Sequence, residues 1–439
     1  MFKFFAPIFL TSALFIPACL AAQTADDIIS DLQSIHAKIN NDTCGNQRLI
    51  SNRAMNLFLS DKIGTYLTNY KDLSFYKNNI TFNAASGDFS LSHSLFQPNG
   101  IDEPVKSFNS IGVKANITNA LAAAFTDNSF KNALGMTINR TWMGKVNSTV
   151  NDCFEKNQMD GQRQLQLDLI EQEIKTRSNN FILSLDKLVQ GAMTDSGFSK
   201  LKQTLKEEFF EQLRDEYSRR FAQQQYLELA NTFRFKKIAT HWTTFSAYMP
   251  IILKRFVTAE SLATSTKNKK AYAFEIALSH TRFWETKKSG RLFIKLEAGV
   301  RLNDDAETYS LQKMNFDQYK NSGGADSTSL SNRKINTIYV GDYHTFLTPV
   351  AKLGLVYFPP DSHIGISGSI EQNIGRYHPL NLTLGIPVVL INTIGAPAAN
   401  FEFQIKYFDL THVVYTGRKN SDNISVNLTI GVPFSKIIY

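Results

Sequence analysis

Beyond its first 22 residues the chain has no apolar run near the roughly 18–20 residues that a membrane-crossing helix needs. The best candidates are A-Y-M-P-I-I-L (247–253), stopped by Lys254 and Arg255, and I-P-V-V-L-I (386–391). A bundle of membrane helices is therefore excluded. Cysteine is scarce, at three in 439 residues, and no Cys/His cluster has metal-ligand spacing. There is no phosphate-cradling glycine loop and no nucleophile elbow. Hence no catalytic, cofactor-binding or metal-binding residue can be named, and a non-enzyme without cofactor is expected. The chain is either exported and soluble, or it crosses a membrane as a closed sheet.

What is there begins with a leader. Lys3, the apolar stretch A-P-I-F-L-T-S-A-L-F-I-P-A-C-L and the small pair Ala21-Ala22 describe a secretory signal peptide over 1–22. The competing reading is a lipoprotein signal acylated at Cys19. Either way the protein is exported. The formal charge of +8 is scattered along the chain, and export argues against nucleic acid as the partner. With the leader removed, Cys44 and Cys153 remain, and two cysteines in an oxidising compartment are expected to pair. Their bridge would close a long loop, worth roughly 4–5 kcal/mol in the chain-entropy model.

Period two dominates much of the chain. The clearest strand is L-F-I-K-L-E-A-G-V-R-L (292–302). It sets Leu292, Ile294, Leu296, Ala298, Val300 and Leu302 on one face and Phe293, Lys295, Glu297, Gly299 and Arg301 on the other. N-F-E-F-Q-I-K-Y-F (400–408) behaves alike, with Phe401, Phe403, Ile405 and Tyr407 opposite Glu402, Gln404 and Lys406. About twelve such strands can be counted, four within 71–151 and eight within 237–439.

Two stretches break this period. Residues 23–70 read as helical, through Ile28, Ile29, Leu32 and Ile35, then Met55, Leu57, Leu59, Ile63 and Leu67. Within 152–236, two long charged amphipathic helices, about 162–189 and 196–231, form an αα-hairpin. Their stripes are Leu169, Ile170, Ile174, Phe181, Leu185 and Leu188, and Leu201, Leu205, Phe209, Leu213, Tyr217 and Phe221. These stripes are expected to pack on each other or on the N-terminal helices, a partner-binding face being the alternative.

Strand length, polar-face composition and loop parity favour a membrane barrel over a soluble sandwich. Several runs reach ten residues, near the 9–11 of a tilted membrane strand. The polar face carries Gly, Ser, Thr and Asn with charges of both signs, which a closed interior tolerates. If the chain starts in the periplasm, both long helices and the short connections fall inside. The long polar segments near 303–336, 371–379 and 409–423 then fall outside, the arrangement expected of outer-membrane barrels. The terminal V-N-L-T-I-G-V-P-F-S-K-I-I-Y resembles the last strand of Gram-negative outer-membrane β-barrel proteins. Gly431, Phe434 and Tyr439 carry the likeness, and Lys436 and Pro433 depart from it.

The expected fold is mainly β, a transmembrane antiparallel barrel of about twelve strands with N-terminal helices and an inserted periplasmic αα-hairpin. Porin-like passage of small solutes across the outer membrane is the expected function. Glu275, Lys295, Glu297, Arg301, Glu402 and Lys406 would then be lumen charges. The alternatives are an envelope scaffold that uses the barrel as anchor and the helical insertion for a protein partner, and a lipid hydrolase. For hydrolysis, His93-Ser94 point to opposite faces, and His363 and Ser367 share a face but lie about 13 Å apart at strand rise. N-D-D-A-E (303–307) could hold calcium through oxygen ligands, or be an ordinary solvated loop. Outer-membrane lipid or lipopolysaccharide is the expected surrounding partner.

Overall fold

The computed structural model describes residues 25–39, 52–64, 76–83, 88–95, 105–116, 125–126, 129–130, 134–149, 156–189, 196–232, 237–251, 253–261, 265–306, 311–319, 333–391, 397–413 and 423–436. The leader, Cys19, Cys44, Cys153 and Tyr439 lie outside the described residues.

The alternating segments form one continuous sheet of long antiparallel strands. In chain order these are β1 (Tyr76–Asn83), β2 (Asp88–Leu95), β3 (Ser107–Asn116), β4 (Leu134–Met143), β5 (Lys237–Pro250) and β6 (Glu275–Thr286). They continue as β7 (Gly290–Asp304), β8 (Thr345–Phe358), β9 (Ile366–Asn373), β10 (Leu380–Ile391), β11 (Pro397–Tyr407) and β12 (Ile424–Lys436). Each strand pairs with its successor, and β12 returns to pair with β1, setting Ile430 against Phe82. The result is a closed twelve-stranded up-and-down barrel with no free edge.

Alternation decides what each wall carries. On β6, Ala277, Ser279, Thr281, Phe283 and Glu285 are buried in the interior, while Ile276 and Leu278 are exposed outside. The same inversion holds on β11, where Phe403 is 55% exposed and Glu402 is 8% exposed. The apolar face of the strands is thus the outer one and the polar face the inner one, the reverse of a soluble sandwich.

Among the described residues there are four helices: α1 (Ala25–Ile39), α2 (Asn52–Gly64), α3 (Lys156–Val189) and α4 (Ser196–Thr232). Helices α1, α3 and α4 share one core, in which Ile28, Leu32 and Ile35 meet Ile170, Ile174, Leu213, Tyr217 and Phe221. Phe181 and Phe209 stack with ring centroids 3.9 Å apart across the hairpin. The stripes read from the sequence therefore pack both on each other and on the N-terminal helix. All of α3 and α4 is inserted between β4 and β5, at the rim where the 287–289 and 359–365 connections also lie.

The opposite rim carries a second sheet, in the order Lys267–Ala271, Lys254–Ala259, Arg333–Val340, Gln312–Tyr319. The alternation of residues 242–256 alone reads as a single strand, but the structure divides it at Pro250. The proline has no N–H to continue the ladder, β5 ends there, and the following residues join the rim sheet. The polar segment near 303–336 likewise contains paired strand, because Q-K-M-N-F-D-Q-Y has too little apolar alternation to announce one.

Candidate functional site

The interior of the barrel is the one place where many side chains of different strands converge, and it has two unlike halves. Towards the helix-side rim the inward positions are apolar and aromatic: Phe108 on β3, Ile238 and Trp242 on β5, Phe283 on β6, Phe293 on β7, Val356 and Phe358 on β8, and Val389 on β10. Into this ring fits α2, whose Met55, Leu57, Phe58, Leu59 and Ile63 join the same cluster together with Ala222 and Tyr226 of α4. Every residue from Ala54 to Leu59 is buried. Asn56 is buried among them, and α2 packs between the barrel wall and α4. Phe283 and Phe293 pack with centroids 4.8 Å apart. Beside them the guanidinium of Arg291 lies 4.8 Å from the Phe358 ring centre, donates to the Ser362 carbonyl at 2.8 Å and faces Glu285 at 3.9 Å.

Further from the helices the inward positions are polar. On β1–β5 most are small and uncharged, the exception being Lys114 of β3, which lies 5.7 Å from the Tyr248 ring centre of β5. Ser92 donates to Asn79 at 2.8 Å, Asn139 donates to Ser110 at 3.1 Å, and Thr141 and Thr244 lie 3.0 Å apart. Such pairs form because Ser, Thr and Asn at inward positions of neighbouring strands fall opposite one another in the register.

The wall from β6 to β11 carries the charges. Lys295 and Glu297, two residues apart on β7, approach to 3.4 Å. Arg301 reaches Glu371 at 3.0 Å and Glu275 at 3.5 Å, so one guanidinium joins β6, β7 and β9. Glu402 accepts a hydrogen bond from Ser367 at 2.5 Å. Gly385 makes room for that pair, since a Cβ there would stand 2.7 Å from the Glu402 oxygen. Lys406 lies over the Phe408 ring, 4.6 Å from its centre. All six charges read from the alternation face inward, but they form separate contacts rather than a ring of one sign. Glu371 completes the Arg301 group and was missed, because E-Q-N-I-G-R-Y-H-P reads as the start of a loop. It continues the odd-numbered polar positions Ser367 and Ser369, which was the available signal.

At the opposite rim, the described part of N-D-D-A-E, residues 303–306, is not a solvated loop. Asp304 and Asp305 are buried. Asp305 accepts from the His344 amide at 2.8 Å and from Tyr377 at 3.2 Å, with His344 Nδ1 at 3.2 Å and Arg376 at 3.5 Å. This carboxylate ties the β7–β8 connection to the β9–β10 turn. Among the described residues no group of three or more His, Cys, Asp or Glu could hold a metal. The histidine–serine fragments do not assemble either. His93 is outside, bonded to Asn78 at 2.7 Å, while Ser94 is buried inside. Ser367 is engaged by Glu402 and His363 is exposed.

The helical domain has its own polar clamp. Asp31 of α1 accepts from Tyr217 of α4 at 2.6 Å and from Arg177 of α3. Burial and the bond to Asp31 push the Tyr217 hydroxyl well above its ordinary value. Burial acts to lower Arg177, but Tyr217 and Asp31 outweigh it and raise the guanidinium. Glu216 is opposed by burial yet held below the ordinary glutamate value by hydrogen bonds from Arg219 and Arg220.

No protein-family model and no curated protein matches the chain. Among solved structures it is similar to the NanC porin, at 9% identity and TM-score 0.28 over 82% of this chain and 98% of that one. It is similar also to the β domain of the Bordetella autotransporter BrkA, at 8% identity and TM-score 0.28 over 82% and 97%. A third is OmpT, an outer membrane protein of Vibrio cholerae, at 9% identity and TM-score 0.23 over 81% and 93%. At such scores the barrel rests on its own strand pairing, not on these likenesses.

Proposed function

We propose that the protein is an outer-membrane β-barrel stoppered at rest by α2, in which the barrel is an anchor and the helical domain engages another envelope component. The reading is carried by the enclosure of α2 in the aromatic ring of Trp242, Phe283, Phe293 and Phe358. Met55, Leu57, Phe58, Leu59 and Ile63 of the helix occupy the interior at that level. The membrane half of the reading is supported by the outer wall, where Val426 is 76% and Leu296 57% exposed. Contiguous exposure of that kind is costly in water and favourable in lipid. The short connections on the helix side suit a periplasmic rim. On α3, Leu165 and Leu183 are exposed about five turns apart on one edge, which suits a helical partner.

A second reading, gated passage of small solutes, is favoured by the polar interior beyond α2. There Asn79, Ser92, Thr141 and Thr244 turn hydroxyl and amide groups inward, and Arg301, Glu275 and Glu371 turn charges inward.

Planar-bilayer recording of the full-length protein tests the closed state. Wild type is expected to be silent, and Phe58→Asp, which cannot remain in the aromatic ring, is expected to give conductance steps. Conductance by wild type at rest would overturn the stopper. If Phe58→Asp opens the barrel and a solute flux accompanies it, gated passage displaces the anchor reading.

A further inference from the structure

The outer wall of the barrel is not uniformly apolar. Where β7 to β12 turn Leu, Ile, Val and Phe outward, β4 to β6 turn out Arg140, Trp142, His241, His280, Arg282 and Trp284. The register makes these neighbours. Thr243 of β5 pairs with Trp142 on one side and His280 on the other, and His241 pairs with Arg282. The His241 and His280 rings lie 5.5 Å apart, and Thr243 Oγ1 is 3.0 Å from His280 Nδ1, which leaves Nε2 free of that contact. Arg140 is 5.6 Å from the Trp142 ring centre and Arg282 is 5.1 Å from that of Trp284. Both guanidinium groups are thus held against the wall by their own strands.

Among the described residues, no carboxylate of β4–β6 lies on this face. The carboxylates of β4 to β6 are Glu275 and Glu285, and both point inward. A cation on the lipid face of a barrel is destabilising, most at mid-depth and less near the interface. Two arginines with two histidines and two tryptophans therefore call for an anionic companion at the headgroup level. Away from the helix-side rim, the row after Trp142, Thr243 and His280 sets Phe245 between Arg140 and Leu278, and the row beyond sets Ile138 and Ile276, the four apolar residues all exposed. From Arg282 and His241 at the rim side to Ile138 and Ile276 beyond, the face passes from basic and aromatic to apolar, as a lipid does from headgroup to acyl chain, with Arg140 as the one cation in the Phe245 row.

We propose that this face of β4–β6 binds the phosphate-bearing headgroup of an acidic phospholipid, with Arg282 and the facing His241 on the phosphate, Arg140 with Trp142 flanking the headgroup from the next strand, and the acyl chains along Phe245 and Leu278. A second copy docked by twofold symmetry would instead set arginines against arginines with no acid between them. The proposal rests on the membrane reading given above.

Native mass spectrometry of the full-length protein from mixed phosphatidylglycerol and phosphatidylcholine micelles tests it. Wild type is expected to retain phosphatidylglycerol over phosphatidylcholine. Arg140→Gln/Arg282→Gln is expected to lose that retention by on the order of tenfold, as for a missing charge-assisted pair. Lys287→Gln/Lys288→Gln, on the neighbouring turn, keeps it. Heat-modifiable gel mobility of each sample reports the folded membrane barrel. If mobility is normal but the two lipids are retained equally, or the arginine variant retains phosphatidylglycerol as wild type does, the lipid site falls and the membrane reading stands. If wild type is not heat-modifiable, both fall. Displacement by excess inorganic phosphate makes this a free-anion site and overturns the lipid. Wild-type dimers lost in the arginine variant overturn it in favour of a second copy.

Discussion

At the scale of single residues, the interior charges are the informative groups, because each was placed by parity and each meets a particular neighbour. Arg301 is the most connected of them, spanning Glu275 and Glu371. Removing one partner from a buried ionic group leaves the others uncompensated, at about 3–5 kcal/mol. Arg301→Met is therefore expected to lower the unfolding midpoint in detergent–urea titration by that order. The triple change Arg301→Met/Glu275→Gln/Glu371→Gln should recover much of the loss, since no bare carboxylate remains. Equal midpoints for wild type and Arg301→Met would show that the group contributes nothing. Parity found Arg301 and Glu275 but not Glu371, because a glutamate followed by Gln, Asn, Ile and Gly carries the composition of a turn. Only the pairing of Glu371 with Asn381 on β10 and Lys352 on β8 makes it a strand residue.

At the scale of elements, α2 and the α3–α4 hairpin differ in how far the sequence discloses them. The hairpin's stripes repeat at helical spacing for many turns, so its core was legible, with Ile174, Leu213 and Tyr217 fully within it. In α2 the apolar residues are equally visible, yet no local feature says that they enter a barrel. The partners of Phe58 come from strands far away in the chain, which no local periodicity encodes. The helical domain also carries a pH signature. Glu216 has its folded value below the unfolded one of about 4.3 because Arg219 and Arg220 bond it. Its stabilisation is present above the unfolded value and is lost as pH falls through the folded one. Thermal unfolding followed by helical circular dichroism should show a loss on acidification that Glu216→Gln flattens. The pair is partly exposed, so the amplitude is no more than about 1 kcal/mol. An unchanged acid profile in Glu216→Gln would remove this assignment.

At the scale of the whole molecule, closure is the dominant fact. The β1–β12 pair, Phe82 against Ile430 and Thr81 against Gly431, unites the two ends of the strand-bearing chain. Because no edge remains, unfolding of the barrel is expected to be cooperative and slow, and unboiled protein should migrate faster than boiled protein on a denaturing gel. Gly431→Pro, which forbids the ladder at the seam, should abolish the fast band. Retention of that band would mean that the barrel closes elsewhere.

The sequence by itself determined that the strands alternate, which face of each carries charge, that about twelve of them build the barrel and that two long helices interrupt them. These are properties of spacing along one chain, and a period of two or of 3.6 is written locally. Tertiary structure decided the rest. It set which charges meet, turned the polar segment near 303–336 partly into a rim sheet, made Asp305 a buried tie, and put α2 inside the barrel. Each of these depends on register between strands distant in sequence, and register follows from closure of the whole sheet and not from any one segment.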